Sequence, residues 1–248
     1  MARAIEILLY VPNLIGYARV LLLFATFWVM KNDYLLAIIF YSLSSILDAF
    51  DGYYARKLNQ SSKFGGLLDM LTDRVATTCL NMCLCYFYPK YMFYFQMWVF
   101  IDITSHWAHQ LASIFRGEKS HKSAADDKKR NIVLRYYYTS RPFLFFMCAM
   151  NEIFFCSLYL NYFEGPSNLF SSVLFGKGLW YWTAYISLPF MAVKTLISIV
   201  HLMDAAWSLA CIESESSKEN PHLQEVQEGQ SLQGANKNDD TGEIGVSG

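Results

Sequence analysis

The chain has 248 residues, a formal net charge of −1, 54% hydrophobic and 17% aromatic residues, and only 17% charged residues. A soluble domain carries about a quarter charged residues, so an ordinary soluble protein, a coiled coil and a disordered chain are excluded. The charge balance gives no basis for binding nucleic acid, and an all-α polytopic membrane protein remains.

A helix needs about 20 apolar residues to cross the hydrocarbon, at about 1.5 Å per residue. A short amphipathic segment, Ala4–Tyr10, is predicted to lie at the interface. Six transmembrane helices are predicted to follow, over about Pro12–Met30, Tyr34–Ala55, Gly65–Phe87, Met92–Phe115, Pro142–Tyr162 and Leu179–Trp207. The first run is read as a retained span, because no small-residue cleavage site follows a short apolar core. Residues 1–212 are expected to form one membrane domain. Residues 213–248 are polar and acidic, and are expected to form a disordered tail.

Orientation follows the basic residues. The connector between spans two and three carries Arg56, Lys57 and Lys63. The connector between spans four and five carries Arg116, Lys119, Lys122, Lys128, Lys129, Arg130 and Arg135. The opposite connectors hold only Lys31, Lys90 and Lys177, which places both termini in the cytosol. The six cysteines have neither CxxC spacing nor a zinc pattern and read as reduced thiols.

Ionisable residues inside spans are costly and mark function. Asp48, Asp51, Gly52, Ala55 and Arg56 share one face of span two, and Gly65, Asp69 and Asp73 form a stripe at i, i+4, i+8 in span three. The short polar connector predicts that the two helices are antiparallel neighbours. Asp48 and Asp51 lie about 12 and 7 Å inside Arg56, and Asp73 and Asp69 about 12 and 6 Å inside Gly65. Four carboxylates therefore meet at matched depth. They cannot all stay ionised together without cations, and hard oxygen ligands select Mg²⁺ or Mn²⁺. A pair of such ions clamps a phosphoryl group, Gly52 and Ala55 leave room for a substrate, and Arg56 can pair with a phosphate. Two other readings stay open: an ion-pair network that locks two helices, for which Arg56 and Arg74 are too few partners, and a cation channel or transporter site.

This spacing, from Asp48, Asp51, Gly52, Ala55 and Arg56 to Gly65, Asp69 and Asp73, resembles the full signature of the CDP-alcohol phosphatidyltransferases. Outside it, the segments from Val11 to Arg19, Asp102 to Trp107, Ser120 to Lys122, Arg135 to Pro142 and Gly178 to Trp180 are similar to the eukaryotic phosphatidylinositol synthases of that family. The resemblance implies transfer of a phosphatidyl group from CDP-diacylglycerol to myo-inositol, with release of CMP. It implies that Asp48, Asp51, Asp69 and Asp73 hold two divalent ions, that Gly52, Arg56 and Ser62 contact the CDP-diacylglycerol head, and that Asp73 is the general base. It also implies a homodimer in the endoplasmic reticulum. Other alcohols, such as glycerol phosphate, serine or choline, share the signature.

Asp102, Ser105, His106 and His109 form a polar stripe on span four. It reads either as a packing seam or as part of an acceptor pocket bounded by Asp102, His106, Lys122, Arg135 and Arg141. Lys194 is expected to be a paired bundle residue, with Glu152 its candidate partner. Asn13 and Arg19, near the cytosolic end of span one, read either as donor contacts or as capping and snorkelling residues.

Overall fold

The computed structural model describes residues 2–119, 141–164 and 178–219, and every regular element among them is helical. A short helix, α1 (Ala2–Leu8), precedes α2 (Val11–Val29), α3 (Tyr34–Lys57) and α4 (Lys63–Phe87). A 3₁₀ turn at Pro89–Tyr91 leads into α5 (Met92–Lys119), followed by α6 (Arg141–Glu164) and α7 (Leu179–Glu219).

Local chemistry sets these boundaries. Pro12 sits in the first turn of α2, where no amide donor is needed. Asp33 caps α3 by accepting from the Leu36 amide at 3.0 Å, and Ser62 caps α4 by accepting from the Gly65 amide at 2.9 Å. Arg56 and Lys57 occupy the last turn of α3, where cations offset the helix dipole. Asn59 ends α3 in the left-handed region, at φ 53°. Its amide donates to the Arg56 carbonyl and the Gln60 amide to the Ala55 carbonyl, the paired bonds of a Schellman stop. The Gln60 side chain accepts from the Val11 amide at 3.0 Å, which ties this turn to the start of α2.

Among the described residues, four helices are long and apolar enough to cross a membrane: Val11–Val29, Tyr34–Lys57, Pro142–Glu164 and Leu179–Ser214. Large apolar side chains cover the outside, with Trp28 86% and Trp207 74% exposed. In water such a surface would drive aggregation, so the chain is an integral membrane protein with lipid as its outer solvent. α4 and α5, at 25 and 28 residues, are as long, but carry more polar residues. α7 runs twelve residues beyond Trp207, where the sixth span was predicted to end.

The packing follows a different path from the one the short connector predicts. α3 and α4 do not pack closely on each other; α2 lies against both. α4 continues to α5 and α6, and α7 closes against α5 and α6. The apolar core gathers at one end, where Leu23, Tyr41, Leu84, Trp98, Phe155 and Tyr159 are buried. Phe87 stacks on Tyr162 with ring centroids 4.1 Å apart and meets Phe163 edge-on at 5.1 Å. The Tyr159 hydroxyl donates to the Met30 carbonyl at 2.5 Å. The opposite end, with the N-termini of α2 and α4 and the C-terminus of α3, holds the carboxylates.

Candidate active site

All four signature aspartates converge on one guanidinium. Arg19 of α2 places Nη1 2.7 Å from oxygens of Asp48, Asp51 and Asp69, and Nη2 2.6 Å from Asp73. The contacts to Asp51, Asp69 and Asp73 are hydrogen bonds donated by Arg19. Its side chain is 2% exposed, whereas those of Asp48, Asp69 and Asp73 are 42%, 47% and 40% exposed. The carboxylates thus rest on a buried cation and turn open oxygens outward.

Arg19 therefore belongs to the quartet itself, and the expectation that Arg56 and Arg74 were its only basic partners is corrected. Arg19 lies eight residues inside Val11, a rise of about 12 Å. Asp48 lies as far inside Arg56 and Asp73 as far inside Gly65, so this shared depth is the sequence signal that links Arg19 to them. Asn13 is likewise buried and donates from Nδ2 to the Ile7 carbonyl at 2.6 Å.

The donor set fits a hard divalent cation. One oxygen from each of Asp48, Asp51 and Asp69 lies within 4.8 Å of the others. Octahedral Mg²⁺, at about 2.1 Å per bond, holds opposite ligands about 4.2 Å apart and adjacent ones about 3.0 Å apart, so the three oxygens draw together when they hold one ion. Carboxylates are also the donors such ions prefer over nitrogen or sulfur.

Beside the quartet lies a cleft of ≈ 200 Å³, open at its mouth and lined by Asn13, Gly16, Asp51, Gly52, Ser62 and Gly65 among others. Two glycines allow the close approaches that shape it. A Cβ on Gly65 would stand 2.7 Å from Asn13 Oδ1, and one on Gly16 2.8 Å from the Leu68 side chain. Arg56 folds back over Gly52, its Nη1 3.5 Å from where a Cβ would be. Ser62 lines the cleft while its hydroxyl oxygen caps α4.

A second polar cluster surrounds Asp102 of α5, which is buried. Arg74 Nη1 lies 2.8 and 2.7 Å from its two oxygens, and Lys194 Nζ 3.8 Å from one of them. Lys194 thus pairs with Asp102; Glu152, its expected partner, accepts from the Tyr41 hydroxyl and from Thr77 at 3.3 Å. His106 donates from Nδ1 to the Asp102 carbonyl at 2.7 Å and lines a small cavity of ≈ 70 Å³ with Ser105, Lys194 and Ser198. Lys122 and Arg135 lie outside the described residues, as does the side chain of Arg141. All six cysteines are free.

An acidic quartet on two helices beside a glycine-lined cleft suits a metal-assisted phosphotransferase, and the sequence model of the family described as "CDP-alcohol phosphatidyltransferase" matches residues 9–164. The chain belongs to that family. Within it, the chain is similar to proteins named CDP-diacylglycerol–inositol 3-phosphatidyltransferase. The one from Rattus norvegicus is 49% identical over 211 residues, covering 84% of this chain and 95% of the relative. The Saccharomyces cerevisiae protein is 42% identical over 214 residues, covering 86% and 92%. The Drosophila melanogaster protein is 40% identical over 229 residues, covering 92% and 97%. No solved structure matches significantly.

Proposed function

We propose that this chain transfers the phosphatidyl group of CDP-diacylglycerol to myo-inositol, giving phosphatidylinositol and CMP. The observation that carries this reading is the convergence of carboxylates from α3 and α4 at the edge of a glycine-lined cleft, in a chain whose relatives bear that enzyme's name. Asp48, Asp51, Asp69 and Asp73 would hold two divalent ions, Mg²⁺ or Mn²⁺, whose chemistry is to neutralise the pyrophosphate and stabilise the departing CMP.

The chain's own residues do the rest. Gly52 keeps the α3 face open to the donor head group, and Arg56 pairs with a phosphate oxygen. Ser62 meets the same group at the N-terminus of α4, where unpaired amides favour an anion. Asp73 is the general base. An alcohol is too weakly acidic to ionise alone near neutrality, so a carboxylate takes its proton as the new bond forms. The inositol oxygen then bonds to the phosphatidyl phosphorus, the bond from that phosphorus to the CMP oxygen breaks, and CMP leaves with the electron pair. Asp102, His106, Lys122, Arg135 and Arg141 would border the acceptor pocket.

All six long helices span the bilayer in this reading, with α1 on the surface and both termini in the cytosol. Most polar residues of α4 and α5 named above face partners in the bundle, which removes the obstacle to spanning. Acyl chains then stay in lipid while cytidine and inositol arrive from water. The protein would act as a homodimer in the endoplasmic reticulum, with residues 1–212 as its membrane domain; of the expected disordered tail at 213–248, residues 213–219 continue α7 as helix and the rest lies outside the described residues.

The test uses purified protein in lipid nanodiscs with CDP-diacylglycerol, Mn²⁺ and labelled alcohols. Inositol-dependent CMP release with labelled phosphatidylinositol is expected. Release with glycerol phosphate, serine or choline alone would reassign the acceptor, and no turnover with any alcohol would overturn the reading.

A further inference from the structure

We propose that Arg19 is a built-in competitor for the first divalent ion: its Nη1 stands where that ion would sit, and ion and guanidinium alternate there. The inference rests on reading the quartet as an ion site.

Nη1 is equidistant, at 2.7 Å, from oxygens of Asp48, Asp51 and Asp69. Those are the same three residues whose oxygens gather within 4.8 Å of one another. A guanidinium normally pairs with one carboxylate through two parallel bonds; here one nitrogen serves three carboxylates. It carries two hydrogens, and they are spent on Asp51 and Asp69. The Asp48 contact is charge attraction alone. The guanidinium is thus placed as a cation at a focus of anions.

Its other atoms agree. Arg19 Nε is buried and has no hydrogen-bond partner. A buried unpaired donor is costly, so the aspartates, not the arginine's own bonding needs, set this position. An ion about 2.1 Å from the same oxygens would overlap Nη1, and the two cannot coexist. Nη2 lies outside this set, on Asp73, and that bond can persist. Between ions, Arg19 also joins α2 to α3 and α4, which do not pack closely on each other.

Mn²⁺ alone is the probe, titrated by electron paramagnetic resonance into full-length protein in nanodiscs, with thermal unfolding recorded in EDTA and in Mn²⁺. Arg19→Gln is expected to bind Mn²⁺ at least about tenfold more tightly than wild type. It is also expected to melt lower in EDTA and to gain more from Mn²⁺. Arg19→Lys keeps a charge on a single nitrogen, so it should fold without metal and bind with intermediate affinity; it carries the test if the glutamine variant does not fold. Wild-type affinity, or weaker binding, in the folded variants would overturn the proposal while leaving the ion site in place. Wild type that binds no Mn²⁺ would remove the ion site itself, and the proposal with it.

Discussion

The side chain of Asp102 is 4% exposed and that of Arg74 20%, and the two are joined through one guanidinium nitrogen. A pair this deep persists because removing either member strands the other. Asp102→Ala is therefore expected to lower stability by about 3–5 kcal/mol, read from unfolding in detergent. Replacing both residues with apolar ones of similar size is expected to recover only part of that loss, because Lys194, the second cation on Asp102, stays buried without that partner. Asp73→Asn tests the chemistry. Turnover should fall by at least about a hundredfold while the protein still inserts, and normal rates would sink the general-base assignment. Spacing alone made Asp48, Asp51, Asp69 and Asp73 legible, since i, i+3 and i+4 positions share a face. Arg19 was not, because a lone arginine near a span's end usually snorkels to the surface. Its depth, shared with Asp48 and Asp73, was the one trace in the sequence, and which helix packs beside the quartet is not encoded in any local pattern.

Adjacent glycines at the start of α4 respond oppositely to the same change. A Cβ on Gly65 would meet Asn13 Oδ1 at 2.7 Å and Ser62 Oγ at 3.1 Å, whereas one on Gly66 would meet nothing within 4 Å. Gly65→Ala is expected to push α4 from α2 and cost about 1–3 kcal/mol, with lower turnover because Asp69 and Asp73 ride on that helix. Gly66→Ala is expected to stabilise by about 0.5–1 kcal/mol through helix propensity. Paired melting curves check both signs. Helices were legible from apolar runs, and the predicted boundaries at Tyr34, Phe87 and Met92 coincide with those of α3, α4 and α5. The overrun of α7 past Trp207 was not, since hydropathy reports where lipid stops and not where the i to i−4 ladder stops.

Across the whole molecule, the aromatic core and the acidic quartet occupy opposite ends. Leu84 is fully buried in the core and lies eleven residues beyond Asp73, a rise of about 16 Å. Leu84→Ala is expected to cost about 2 kcal/mol, the low end for a large-to-small change because lipid is itself apolar. Mn²⁺ affinity should be unchanged. Chelation by EDTA should give the reverse, abolishing turnover while the helical circular dichroism persists, since Arg19 still offsets part of the quartet's charge. The all-helical class was legible from composition. The insertion of α2 between α3 and α4 was not, because a short connector limits distance without forcing contact.

Phe87 lies fourteen residues beyond Asp73 on α4, a rise of about 21 Å, and at that separation free energies add. Tightening the rings around Phe87 should then raise the melting temperature by the same amount in wild type and in Asp73→Asn. The protein can be hardened for handling at one pole while its chemistry is altered at the other.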